Sequence, residues 1–239
     1  MVVLALDTTT RAGSAALVVD DRIVDERCGD DRRTHAERLP AELLSLAEAN
    51  HVAVADVDLF AVACGPGSFT GLRIGIATIQ GLALVAGRRV AAISALDAMA
   101  ELASQQADTD TLVAAWMDAH RRDVFAALYR VASAPMFSAT RLQALEPPSV
   151  DAPASLLWRW RESLQKADSV FVGDGAVMYA DAISKASARA RVLPPPTLAG
   201  AIGRLAVARA RQGETVEPAG IRPLYVRRPD AETAREKAL

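Results

Sequence analysis

The sequence predicts an α/β protein built from two related lobes. Three observations carry that reading. The runs VVLALD (Val2 to Asp7) and SAALVVDDRIVDERC (Ser14 to Cys28) read as two strands joined by a tight connection, and the same plan returns as TLVAAWMD (Thr111 to Asp118) and VFAALYRV (Val124 to Val131). Asp7 precedes Ala15-Ala16-Leu17 by the interval that separates Asp118 from Ala126-Ala127-Leu128. An apolar strand then runs into G-x-G once in each half, as AVACGPG (Ala61 to Gly67) and as VFVGDG (Val170 to Gly175), each time ahead of a helical segment. Together these describe an internal duplication with a cleft between the halves.

Between the first hairpin and the strand DLFAVAC (Asp58 to Cys64) lies a predicted helix from His35 to Asn50. Thr34 and Glu37 make a T-x-x-E capping box, and Leu39, Leu43 and Leu46 share one face. Pro40 is expected to kink that helix or mark its true start. The next helix is expected over Thr70 to Ala86. The stretch from Ser133 to Pro153, rich in Pro and Ser, reads as an edge strand mixed with loop. Pro194 to Pro196 end the second half. Thr197 to Gly213 read as a helix closed by Gly213 that packs back on the first half. The expected domains are 1–107 and 108–196, with 228–239 as a mixed-charge, flexible tail.

Bulk properties bound the function. In 239 residues, 51% are hydrophobic and 23% charged, enough apolar surface for a sizeable core. A net charge of −2 exerts no general pull on nucleic acid or anionic membranes. The N-terminus enters a strand-like run without a basic leader pattern, so a cytoplasmic location is expected. The longest apolar stretch, broken by Gln80, is expected to fall short of a bilayer span. Cys28 and Cys64 form no CxxC pair, which argues against a zinc site or a disulfide framework.

The stretch CGPGSFTGLRIGIATIQGLALVAG, Cys64 to Gly87, is the most informative. Its G-x-G-x-x-x-G fits neither a Rossmann fingerprint nor a Walker A loop, since no Gly-Lys-Ser/Thr follows. Gly65, Gly67 and Ser68 could present backbone N–H groups to an anion or form a purely structural turn. In the helix that follows, Arg73 and Gln80 share a narrow stripe and the other faces are apolar. Gly71 and Gly75 form a small-xxx-small strip that lets another helix approach. With the leucine-bearing helix beside it, this element is expected to make an apolar docking surface; burial of both helices within one chain stays open on the residues alone.

Candidate catalytic groups are few. His35, His51 and His120 have no second ligand at metal spacing, and Leu39 stands where a helical partner to His35 would lie. Ser68 sits in G-S-F-T-G, not in a nucleophile elbow. The run DTTTRAGS places Asp7, Thr8 and Thr9 at a strand end where Mg²⁺ and phosphate oxygens could be held. Its expected counterpart at Asp118, DAHRRD, puts two arginines where a phosphate clamp wants small residues.

With those residues laid out, the chain resembles the bacterial TsaB (YeaZ-type) family. The resemblance lies in LALDTTT, THAERLPAELLSL, CGPGSFTGLRIGIATIQGLA, SALDAMA, MDAHRRDVFAALY and IRPLYVRR. It implies two RNase H-like lobes of the actin-like/Hsp70-like ATPase (ASKHA) fold. It also implies a non-catalytic scaffold that binds TsaD, with TsaE joining, to support threonylcarbamoyl transfer to adenosine 37 of ANN-decoding tRNAs. The implied partner interface is Leu39, Leu43, Leu46, Gly71, Leu72, Gly75, Ile76, Ile79 and Ala83, with a homodimer through the same face when the partner is absent. The resemblance implies no cofactor for this chain, no membrane, and tRNA, ATP and Mg met at the level of the complex. Asp7, Thr8, Thr9, Gly65, Gly67 and Ser68 remain the candidate nucleotide residues, although Thr9 and the Asp118-Ala119-His120 run both lack the glycine of D-x-G. The competing readings are a small-molecule kinase or ATPase, and a metal-dependent glycopeptidase-like protein.

Overall fold

The computed structural model describes residues 1–227; the predicted tail at 228–239 lies outside the described residues. Two five-stranded sheets organise the chain. The first contains β1 (Val2–Asp7), β2 (Ser14–Val19), β3 (Arg22–Cys28), β4 (Leu59–Gly65) and β5 (Arg89–Ser94), in the order β3-β2-β1-β4-β5. The second contains β6 (Leu112–Asp118), β7 (Val124–Val131), β8 (Leu142–Asp151), β9 (Ser169–Val172) and β10 (Ala190–Leu193), in the order β10-β9-β6-β7-β8. The orders are one topology used twice: an antiparallel meander of three strands, then two strands parallel to the first of them. Gly65 and Gly173, the strand-end glycines of the two G-x-G runs, even share a left-handed φ of 119° and 118°.

The second predicted strand of the first half is in fact β2 and β3. They are separated by Asp20 and Asp21, both at positive φ, in a two-residue turn whose twist matches that of the flanking strands. The equal Asp-to-AAL intervals are not equal registers. Asp7 lies opposite Ser14, whereas Asp118 lies opposite Val124, so the second hairpin loop is one residue shorter. Side chains alternate along a strand. Asp7 therefore falls in step with Val3 and Ala5 of the central core, and Asp118 with Ala114 and Trp116 of an outer core. The two aspartates are not counterparts.

Three layers of apolar packing follow. Between the sheets lie α4 (Ala95–Ala103), which touches both, and α8 (Ala199–Arg211), which packs on the first sheet through Gly203 at Val18 and Ala5. The outer face of the first sheet is covered by α2 (Ala41–Ala49) and α3 (Phe69–Ala86), with α1 (His35–Arg38) beside α3. That of the second is covered by α5 (Pro153–Lys166), α6 (Asp174–Met178) and α7 (Ala180–Ala186). The helix expected over His35 to Asn50 is two helices. Pro40 forces Leu39 to extended backbone at φ −92° and ψ 142°, and the second helix starts behind it. The capping box at Thr34 and Glu37 is formed. Strand β8 carries Pro147 and Pro148 at a sheet edge, where a missing N–H is tolerated.

Candidate functional site: the glycine loop and helix α3

Helix α3 begins where Ser68 Oγ accepts the N–H of Gly71 at 3.2 Å and ends at Gly87, whose φ of 65° closes it in a left-handed cap. The loop before it is packed against the first hairpin. Ser68 N–H donates to Thr9 O at 2.9 Å. A Cβ on Gly67 would lie 2.5 Å from Thr9 Cβ, one on Gly71 2.3 Å from Thr8 O, and one on Gly75 2.1 Å from Thr8 Oγ1. The small-xxx-small strip thus receives Thr8, a residue of the same lobe, rather than a second helix.

Of the six candidate nucleotide residues, Asp7, Thr9, Gly67 and Ser68 pack on one another, Thr8 packs on Gly71 and Gly75, and Gly65 lies beside Leu224. Thr8 is fully buried, and its Oγ1 has no hydrogen-bond partner. Asp7 is buried; its Oδ1 accepts Thr9 N–H at 2.9 Å and Thr9 Oγ1–H at 2.7 Å. Burial pushes the Asp7 carboxyl above the usual carboxylate range, opposed by those two hydrogen bonds. Its Oδ1 is already engaged by both Thr9 donors. At Gly65 the space beside the backbone is filled by Leu224 O, 2.9 Å from where a Cβ would stand.

His35 is equally committed. Nε2 lies 3.0 Å from Thr10 O and Nδ1 lies 2.7 Å from Arg38 Nη2, an arrangement met by a neutral ring that donates from Nε2 and accepts at Nδ1. Burial, first, and the nearby Arg38 charge hold its pKa below the ordinary value, although the Thr10 carbonyl acts the other way. Both ring nitrogens are spoken for, which leaves no lone pair for a metal. Arg38 also donates to Glu42 and to Ala12 O, so α1 is clamped onto the 8–13 loop. Among the described residues no group of three His, Cys, Asp or Glu is placed to hold a metal ion.

The nine residues assigned to a docking face are all buried within the chain. Leu39, Leu43, Leu46, Ile76, Ile79 and Ala83 belong to the outer core of the first sheet, and Gly71, Leu72 and Gly75 are buried beside it. The physical reason is that α3 is apolar on both sides, so leucine and isoleucine content cannot say which side meets the sheet. The face left to solvent is Thr70, Arg73, Ala77, Gly81, Leu84 and Val85, with Phe69 at its start. Leu84 is 73% exposed and Val85 88%. Gln80 misled as a marker of the solvent side: it is half-buried and its Nε2 donates to Pro218 O at 2.8 Å. By length and composition α3 is also apolar enough to cross a membrane, contrary to the expectation from Gln80; one third of it is buried in the fold.

Comparison with known proteins adds the following. A family model described as TsaD, tRNA N6-adenosine threonylcarbamoyltransferase, matches residues 30–235. An uncharacterized Mycobacterium tuberculosis protein is 43% identical over 130 residues, 53% of this chain and 58% of that one. The Escherichia coli tRNA threonylcarbamoyladenosine biosynthesis protein TsaB is 35% identical over 130 residues, 54% of this chain and 55% of that one. The chain thus spans little more than half the length of these curated relatives. A crystal structure of a Pseudomonas aeruginosa protein with similarity to peptidase YeaZ superposes with a TM-score of 0.78 at 30% identity, covering 95% of this chain and 99% of that one.

Proposed function

Because this chain belongs to the TsaD family of tRNA N6-adenosine threonylcarbamoyltransferase proteins, as a TsaB/YeaZ-type member, we propose that it is the non-catalytic scaffold subunit of tRNA threonylcarbamoyladenosine synthesis in the cytoplasm. In this reading it binds TsaD, with TsaE joining, and threonylcarbamoyl transfer to adenosine 37 of ANN-decoding tRNAs takes place on TsaD. ATP, Mg and tRNA are met by the assembled complex.

The observation that carries the reading is the outward ridge of α3. Leu84, Val85, Ala77 and Gly81 form an apolar surface on an 18-residue helix whose one ionic side chain, Arg73, sits at the first turn. Such a surface is suited to desolvation by a partner helix, and the small residues permit close approach. The same ridge serves a second copy when TsaD is absent. The interface residues are accordingly moved from the buried stripe to the exposed one. The closed glycine loop and the committed His35 favour this reading over a kinase or a metallopeptidase.

The test is capture of TsaD from the same organism by the tagged chain. Leu84→Asp combined with Val85→Glu is expected to reduce recovered TsaD at least about tenfold while circular dichroism and melting stay as in the parent. Undiminished capture by that folded variant would refute the assignment of the ridge.

A further inference from the structure

Residues 221–227 have no regular secondary structure, yet they reach both lobes. Ile221 is buried in the outer core of the first lobe. Leu224 N–H donates to Cys64 O at 2.7 Å, at the end of β4. The Tyr225 ring lies 5.4 Å from that of Phe69, and its hydroxyl accepts from Arg73 Nε at 3.1 Å. Two residues on, Arg227 reaches the second lobe: Nη1 donates to Ala119 O at 2.7 Å and Nη2 to the Asp123 carboxylate.

Ala119 and Asp123 are the two ends of the β6–β7 loop, joined by Ala119 N–H to Asp123 O at 3.0 Å. Between them His120, Arg121 and Arg122 have φ of 58°, 56° and 68°. Three consecutive residues with side chains in the left-handed region is a conformation the chain resists, and it persists where the surroundings over-determine it. A guanidinium that bonds both ends of the loop at once supplies such a constraint, since its donors are fixed in one planar fork.

We propose that residues 221–227 form a releasable strap through which the first lobe holds the β6–β7 loop of the second lobe in its left-handed form. Beyond Ile221, half-exposed side chains and, among the described residues, one backbone bond to β4 anchor the segment, the marks of chain that opens locally. Its anchor at Phe69 and Arg73 is the first turn of α3. Displacement of Tyr225 from that turn therefore frees Arg227, and the loop relaxes.

The test uses the isolated full chain, so it stands apart from TsaD binding. Trypsin cleavage after Arg121 and Arg122 is followed by mass spectrometry under native conditions, where the rate tracks the open fraction of the loop. Arg227→Ala and Tyr225→Ala are each expected to accelerate cleavage about tenfold or more. Arg161→Ala, whose parent side chain bonds Trp158 O on α5 outside the strap, is the control and is expected to leave the rate unchanged. Acceleration in Arg227→Ala alone would make the clamp local to the loop and overturn the strap, as would parental rates in both variants. Should either alanine variant lose its native circular dichroism, Arg227→Lys and Tyr225→Phe decide by the same criterion, each accelerating cleavage if the fork or the hydroxyl is needed.

Discussion

Thr8 Oγ1 occupies the space that a side chain on Gly75 would need: a Cβ there would stand 2.1 Å away. Thr8 belongs to the loop after β1 and is fully buried. This one approach seats the first hairpin loop on α3. Gly75→Ala gains intrinsic helix propensity of about 1 kcal/mol, but the overlap with a buried residue costs about 1–3 kcal/mol or more. Net destabilisation is expected, read as a lower midpoint in urea unfolding. Ile76→Asp, which buries a carboxylate in the outer core, should lose the fold altogether rather than merely a partner.

Gly81 gives the opposite sign from the same chemistry. It lies on the exposed face of α3, and a Cβ there meets nothing within 4 Å. Gly81→Ala is expected to stabilise the isolated chain by about 0.5–1 kcal/mol. Gly81→Leu should weaken TsaD capture because it blocks close helix approach. Equal capture by parent and Gly81→Leu would mean that no helix packs at this point of the ridge.

Two buried carboxyls set a pH dependence. Burial pushes Asp7 up, against two hydrogen bonds from Thr9, and burial likewise pushes Glu101 up, against the Phe137 N–H and nearby arginines. A carboxyl with a raised folded-state pKa binds its proton more tightly in the folded chain. Its neutral form therefore favours folding at low pH, and that advantage is lost as pH rises through the folded pKa. In Asp7→Asn the amide oxygen can still accept both Thr9 bonds while the charge is removed. The melting temperature of Asp7→Asn relative to the parent should rise as pH is raised from the ordinary carboxylate range through the higher folded-state pKa of Asp7. A difference that stays flat, or falls, would contradict a buried Asp7 charge.

How much of this was legible in the residues differs by element. The duplication was, because Gly65 and Gly173 mark the same bend twice and the apolar strands before them are unmistakable. The register was not: Ala15 faces Leu6 whereas Ala126 faces Trp116, and a one-residue change in loop length leaves the AAL runs looking equivalent. The turn at Asp20 and Asp21 is written in the sequence only as a polar pair between apolar runs, without the glycine that usually marks two positive-φ positions. In α3 the helix expected over Thr70 to Ala86 was legible, one residue short at its start. Which face meets the sheet was not, since that depends on Thr8 docking at Gly71 and Gly75 from a distant position. The strap at 221–227 offered no local signal because its bonds run to Cys64, Arg73 and Asp123.

The two thiols give a last, inexpensive check on how β4 ends. Cys64 lies under Leu224 at the strand terminus, and burial, reinforced by the Asp97 carboxylate, pushes its pKa up to about 11. Cys28 is exposed on the edge strand β3, with its sulfur 3.5 Å from Thr197 Oγ1. The thiolate is the reactive form, so at pH 8 a thiol with a pKa near 11 is ionised to about one part in a thousand. Titration with a disulfide reagent under native conditions should show one fast thiol and one slow one, and Cys28→Ser should abolish the fast phase. Tyr225→Ala, by loosening the segment over β4, should speed the slow phase. Two equally fast thiols in the parent would mean that nothing covers Cys64.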